Sequence, residues 1–439
     1  MKRILMLIAL FALIVHAKAQ EKWILEKCID YALKNNIVIK QYQVNTDYQN
    51  NLLKQSKYDR LPDLSANVAE DLSFGRSLTI NNTYENYTSS NTWLYASSDI
   101  LLWNGGSAKH SIKQHEYELK SSLEDLQKAK DDITLNIASG YLDILFAKEL
   151  LKEAENQVEQ THKQIERTTK LVEAGKEAEG TLLEIEAQLA QEELEVINCN
   201  NKLQITYLNL AQLLELEDYT NFDIEVPTLP EIKAQANIIA AQMIYERAVD
   251  SRPEIKSAEY LLESYKTQLK IAATSRIPTL SATAEFYDQY LSTFDNEAEA
   301  FSDQITSNNR EGLSLNLSIP VFNRFQTRTN IENAKLQVIN QELELESTKK
   351  ELRQQIEQAY TNAVAALKKY NAYKMAVKSM ELSFNYVEEK FNVGRVNSVE
   401  YNKAKTDLAT AQSNFIQAKY EFIFRSKILD FYNGIPIQL

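Results

Sequence analysis

The longest regular pattern in the chain is a seven-residue apolar repeat, Ile356, Ala363, Tyr370, Val377, Phe384 and Phe391. It lies within Phe325 to Val393, a stretch without one Gly or Pro. A strict apolar heptad marks a helix that supercoils against neighbours. At ~1.5 Å per residue, an unbroken helix over 325–393 is about 100 Å long. Gly394 comes next, where a left-handed turn is needed to stop a helix. A second heptad, Ile144, Leu151, Val158, Ile165 and Val172, predicts another long helix over 107–174. The residue three positions after each of these is small: Ala147, Ala154, Thr161, Thr168 and then Gly175. Large residues at one seam position and small ones at the next let helices approach closely. Leu182, Leu189, Val196, Leu203 and Leu210 mark a further helix over 180–214. These stripes are read as packing seams that do no chemistry.

The period changes from seven to two further on. Leu313, Leu315, Leu317 and Ile319 alternate with Ser314, Asn316 and Ser318. A strand with one apolar and one polar face fits a boundary between lipid and water, or the surface of a soluble core. Phe286, Tyr287, Tyr290 and Phe294 cluster near one end of its partner strand, as in an interfacial belt. Strands are predicted over 280–291 and 312–322. In the first half they are predicted over 64–78 and 92–103, around an Asn-rich polar loop at 79–90. Pro62 ends the preceding helix, predicted over Glu26–Arg60.

The two halves repeat one unit. Arg60-Leu61-Pro62-Asp63-Leu64-Ser65-Ala66 is answered by Arg276-Ile277-Pro278-Thr279-Leu280-Ser281-Ala282, an offset of 216. Trp103-Asn104 and Phe322-Asn323, Gly175 and Gly394, and Ala187-Gln188-Leu189-Ala190 and Thr406-Asp407-Leu408-Ala409 are each 219 apart. The organisation expected is a first repeat at 20–216, a linker at 217–240 and a second repeat at 241–439. In the second repeat the helices are predicted over Gln242–Arg276, 325–393 and 396–430. Each unit reads helix, strand, strand, long helix, turn, helix. Two short helices end to end match one long one in length. The fold class is therefore mainly α with a small β part: long antiparallel coiled-coil helices with internal duplication.

Charge narrows the partners. The chain is formally −13. Residues 1–19 have the form of a secretory signal: Lys2-Arg3, an apolar core from Ile4 to Val15, then Ala17-Lys18-Ala19. Its removal takes away three cations and no acid, leaving about −16. An acidic chain argues against nucleic acid. His110, His115 and His162 lack the company that makes a metal site. No phosphate loop, nucleophile elbow or Cys-x-x-Cys is present. Acidic residues are spread along helix faces, the usual solvated pattern. No catalytic, cofactor-binding or metal-binding residue is expected, and the chain is not read as an enzyme.

Ala32-Leu33-Lys34-Asn35-Asn36, Arg60-Leu61-Pro62-Asp63-Leu64, Phe322-Asn323-Arg324 and Lys390-Phe391-Asn392-Val393-Gly394-Arg395, taken in that order, resemble the TolC-like outer membrane efflux family over essentially the whole chain. The resemblance implies a homotrimer. Four strands per chain then make a twelve-stranded barrel in outer membrane lipid, and the helices close into a periplasmic α-barrel. It implies a passive, gated duct of a tripartite system, fed by an inner-membrane pump of the RND or ABC type through a periplasmic adaptor. The outer membrane exit of a type I protein secretion system is the alternative within the family. A non-channel envelope coiled-coil protein is the alternative outside it.

By resemblance, Gly175, Lys176, Val393, Gly394 and Arg395 are tips where the adaptor docks. The plain reading of each Gly as a helix-reversal turn holds alongside. Phe391 falls at an aromatic constriction and Glu400 at an acidic gate position. Lys403 departs from the acidic pattern; Glu184, at the repeat-equivalent site, could pair with it and hold the pore shut, or both are plain exposed helix charges. Helical rise puts Cys28 and Cys199 at similar heights. Two readings stay open there, a disulfide in an oxidising compartment and two buried free thiols.

Overall fold

The structure, a computed structural model, describes residues 22–78, 82–218, 220–228, 232, 238–293 and 299–438. The signal-peptide expectation at 1–19 and the aromatic Phe294 lie outside them. The first half contains α1 (Leu25–Asn35), α2 (Ile37–Tyr58), β1 (Ser65–Leu78), β2 (Tyr84–Trp103), α3 (Ser107–Glu173) and α4 (Glu179–Leu213). The second contains α5 (Ala241–Ser251), α6 (Pro253–Thr274), β3 (Thr279–Thr293), α7 (Phe301–Ser307), β4 (Arg310–Ser318), α8 (Gln326–Asn392) and α9 (Ser398–Tyr432). Helix lengths recur: 11, 22, 67 and 35 residues in each half, α7 standing apart.

The chain divides into two compact units, one made of 1–44, 124–256 and 347–439, the other of 45–123 and 257–346. The second unit holds the sheet. Its four strands are antiparallel in the order β1-β2-β3-β4. Cross-strand partners share a face. One face carries Val68, Leu72, Phe74, Leu313, Leu315 and Leu317, all 56–82 % exposed. The other is polar and cross-linked: Gln289 Nε2 donates to Asn91 Oδ1 at 2.7 Å, and Thr283 donates to Asp99. Where β2 feeds α3, Gly105 has φ +65° and a side chain there would meet Ile277 at 2.8 Å.

Strand limits differ from those the sequence predicts. β2 begins at Tyr84, so the Asn-rich segment expected as loop is largely paired strand, with Asn86 opposite Arg76. Pairing with β1 supplies the hydrogen bonds that local composition did not promise. β4 ends at Ser318, short of the expected 322, ahead of Pro320.

The first unit holds the main core. Leu25, Cys28 and Ala32 of α1 meet Ile137, Tyr141, Ile144 and Leu145 of α3, Leu203 and Leu210 of α4, and Ile416, Tyr420 and Ile423 of α9. Beyond the fully buried Ile144, the small positions of the α3 heptad are the buried ones: Ala147, Ala154, Thr161 and Thr168 are each under a tenth exposed, whereas Leu151, Val158, Ile165 and Val172 are half-buried.

Two helices expected as continuous are broken. Asn36 separates α1 from α2, with extended backbone. Its Oδ1 accepts from Val38 N at 2.9 Å and so caps α2. Its Nδ2 donates to the Leu213 carbonyl at 3.0 Å, satisfying an orphan group at the end of α4. Arg252, at the repeat-equivalent position, separates α5 from α6 because Pro253 forces it extended and opens the next helix. Arg252 is buried, 3.2 Å from both Asp131 and Glu254, with Phe431 under its guanidinium.

The linker is tied back to the first helix. Trp23 N donates to the Asp223 carbonyl, and Glu225 N to the Trp23 carbonyl. The Tyr141 hydroxyl donates to the Glu225 carbonyl at 2.6 Å. Asp223 accepts from Lys148 Nζ at 2.6 Å and from the Tyr207 hydroxyl. Burial pushes the Asp223 carboxyl up, but these bonds and that from Ile224 N outweigh it and hold it below the usual carboxylate range. A depressed folded pKa adds stability that is present above the unfolded pKa and lost as pH falls through the folded one. Asp223→Asn should cost about 1.5–3 kcal/mol near neutrality. In melts taken at a series of pH values, the gap from wild type should shrink as acid protonates Asp223.

Candidate functional site

Both long helices end in the same way. Gly175 has φ +69°, with Gly175 N bonded to the Val172 carbonyl and Lys176 N to the Leu171 carbonyl. Gly394 has φ +71°, with Gly394 N bonded to the Phe391 carbonyl and Arg395 N to the Lys390 carbonyl. These paired bonds are Schellman closures, and only Gly takes the left-handed position without strain. Both turns are open: nothing lies within 4 Å of where a Cβ would stand on either glycine. Lys176, Val393 and Arg395 are exposed. The two turns lead into their next helices differently. Asn397 caps α9 through Glu400 N at 2.9 Å, whereas Ala178 gives α4 no side-chain cap.

The predicted gate residues are brought to this end but do not all meet. Glu184 accepts from the hydroxyl of Ser398, the first residue of α9. Lys403 pairs with Asp407 at 2.8 Å, one turn along its own exposed face. The expected Glu184–Lys403 pair is therefore corrected, because each has a nearer partner. Glu400 is exposed. Phe391 is half-buried, its ring 4.6 Å from that of Tyr401, which also meets Phe384 at 5.5 Å. Burial, ahead of the charges of Glu388 and Glu192, pushes the Tyr401 phenol up to about 12. A cleft of about 500 Å³ runs beside these rings, lined also by Arg167, Thr168 and Lys176. Arg167 reaches across to Asn392.

The cysteine bridge is not made: Cys28 and Cys199 are both free and buried. Cys28 belongs to the main core, and burial raises its thiol to about 12. The Cys199 thiol turns instead towards Glu195 on its own helix, at 3.6 Å.

Sequence reasoning missed a buried ion pair. Lys405 of α9 and Glu192 of α4 are 6 % and 7 % exposed and pair at 2.8 Å. Thr161 of α3 bonds to both, and Gln188 Nε2 donates to Glu192 at 3.0 Å. This cluster links the α3–α4 hairpin to α9. Its signal is visible in retrospect. Ile185, Leu189, Glu192, Val196, Cys199 and Leu203 form one seam by their spacing, and Glu192 interrupts it. The repeat-equivalent positions are Glu186, Ala411 and Met380, so the pair occurs once per chain.

The chain matches the family model described as "Outer membrane efflux protein" over residues 28–215 and again over 244–429. It belongs to the outer membrane efflux protein family. The two matched stretches lie within 20–216 and 241–439. The chain is 22 % identical to "Outer membrane protein TolC" of Salmonella enteritidis over 390 residues, covering 84 % of this chain and 75 % of that protein. It is 19 % identical to "Outer membrane efflux protein BepC" of Brucella suis, covering 75 % and 69 %. Among solved structures, the Campylobacter jejuni CmeC outer membrane channel superposes with a TM-score of 0.77 at 18 % identity, over 94 % of this chain and 86 % of that one. CusC gives 0.77 at 15 %, over 94 % and 92 %. As an outer membrane efflux protein, the chain is a channel component in the outer membrane with its helical part in the periplasm.

The buried pair has a testable energetic signature within this channel. Removing one partner strands a buried charge, whereas replacing both with apolar residues does not. Lys405→Met or Glu192→Leu alone should cost about 3–5 kcal/mol. The double variant should recover most of that in thermal or denaturant unfolding.

Proposed function

We propose that three copies of the chain form a gated, passive duct that conducts substrates from an inner-membrane pump of the RND or ABC type to the exterior. The observation that carries this is the exposed apolar face of a four-stranded sheet that, among the described residues, has no further strand beside β1 or β4. In lipid each unsatisfied backbone group costs several kcal/mol, so such a sheet must close with further strands. Three copies supply twelve, within the range of outer membrane barrels. The polar face then lines water. Membership of a family of efflux channels, and the likeness to TolC and BepC, support this reading.

The hairpin turns carry the partner contact. Gly175 and Lys176 on one, and Val393, Gly394 and Arg395 on the other, are the surface we assign to a periplasmic adaptor. Phe391 and Glu400, with Glu184 and Lys403 behind them, form the narrow end of the duct. The residues act by shape and charge, and no covalent chemistry is involved.

Purification from outer membrane detergent extracts, with mass by light scattering and conductance across planar bilayers, tests the assembly. A particle of three chains with low-conductance, mostly closed channels is expected. A water-soluble monomer or dimer without conductance overturns the proposal. Val393→Asp places a charge on an exposed tip residue (68 % accessible) away from the seams. It should leave the particle mass unchanged and abolish cross-linking to the adaptor, as read on gels after in-cell cross-linking.

A further inference from the structure

The segment joining β3 to β4 does more than connect them. β3 extends to Thr293, but its ladder with β4 stops at Tyr287 opposite Arg310. Beyond that point helix α7 takes the place of a strand. Gln304, 6 % exposed, accepts from Leu291 N and donates to the Leu291 carbonyl, both at 2.9 Å. Asn308 Nδ2 donates to the Gln289 carbonyl at 2.9 Å. Two side-chain amides thus take up Leu291 N and the Leu291 and Gln289 carbonyls of the strand edge and fix α7 against it.

The fixed helix turns an apolar side outward. The Phe301 ring lies edge-on to that of Tyr290, with centroids 5.1 Å apart. By alternation Tyr290 shares the face of Leu313, Leu315 and Leu317. Ile305 lies one turn beyond Phe301 and so on the same side of α7. Phe301 is 57 % and Ile305 37 % exposed. On that face Phe286 lies between Tyr290 and the leucines, with Asp288 buried and Glu311 exposed beside it.

Its height is set by the strands. From Leu280 to Tyr290 is ten residues, about 33 Å along the strand, or about 25 Å along the normal at a tilt near 40°. That equals the apolar band of an outer membrane barrel. At the lower limit Trp103, Phe322 and Phe325 are exposed. Towards the upper limit Glu311, Asp288, Glu70, Ser90 and Thr92 bring polar groups onto the same face, with Thr92 paired to Tyr290, while Leu72 and Phe74 of β1 interleave apolar side chains above it. Phe301 and Ile305 thus stand where hydrocarbon gives way to headgroups.

We propose that α7 is an interfacial anchor whose Phe301 and Ile305 insert at the headgroup–acyl boundary of the outer leaflet. The occupant of this apolar face is a lipid surface. It fixes the depth of the sheet's outer rim, while Gln304 and Asn308 keep the strand edge dry. The inference rests on the outer membrane channel reading.

Spin labels test it. Phe301→Cys, Ile305→Cys, Asp303→Cys and Leu315→Cys are each labelled, the native thiols being buried, and the protein is reconstituted into phosphatidylcholine vesicles. Collisions with oxygen and with a nickel chelate are then compared. Labels at 301, 305 and 315 should favour oxygen severalfold, and the label at 303, on the opposite side of α7, should favour nickel. If 315 favours oxygen but 301 and 305 favour nickel, the anchor is overturned and the channel reading stands. If 301 and 305 lose both collision partners while 315 favours oxygen, a second copy of the chain covers α7 and the lipid occupant is overturned. If 315 itself favours nickel, the sheet is not in lipid and both readings fall.

Discussion

A peptide group without a hydrogen-bond partner in hydrocarbon costs several kcal/mol, and the sheet is organised around that cost. Each internal strand is satisfied by a neighbour on both sides, and the β3 edge left bare by the short β4 is closed by Gln304 and Asn308. The outer edges of β1 and β4 are different. No side chain can complete a whole strand, so they call for another strand. The alternation of exposed leucines with Ser314, Asn316 and Ser318 then sorts the two faces between lipid and water. One constraint accounts for the short strand, the accessory helix and the need for further copies.

Away from the membrane the constraint is close helix packing. From Ala147 to Thr168 small residues occupy the buried seam of α3, which lets the neighbouring helices approach. Against that background the Lys405–Glu192 pair stands out, because a desolvated ion pair gives less stability than well-packed apolar side chains of the same volume. Through Thr161 it joins α9 to both α3 and α4 at one level of the seam. The two halves of the duplication keep the same helix lengths and turns but diverge here. They diverge also at the helix breaks, where the polar amide of Asn36 in one is replaced by the buried guanidinium of Arg252 in the other.

The hairpin turns combine rigidity and access. Schellman closures built on Gly175 and Gly394 satisfy the last helical carbonyls internally, so the turn surface owes no hydrogen bonds to its own helices. Exposed Val393 and the charged Lys176 and Arg395 are thereby free for a partner. Behind the turns, Phe384, Phe391 and Tyr401 stack into an aromatic layer that joins α8 to α9.

Periodicity by itself determined most of the architecture. Heptads specify a helix, alternation specifies a strand, and Gly175, Gly394 and Pro62 mark boundaries, because each acts through bonds within a few residues. The duplication was readable for the same reason: local signals recur at a fixed offset. Tertiary structure decided whatever depends on a distant partner. Asn36 stands between two helices with its amide on a carbonyl of α4. Asn86 lies in a strand because Arg76 is opposite. Glu184 and Lys403 take nearer partners than each other, and Cys28 and Cys199 stay apart. Glu192 and Lys405 were visible as charges interrupting apolar seams, but a seam charge does not name its partner. Only the folded chain, by bringing α4 and α9 together, supplies the opposite charge that makes burial of either one tolerable.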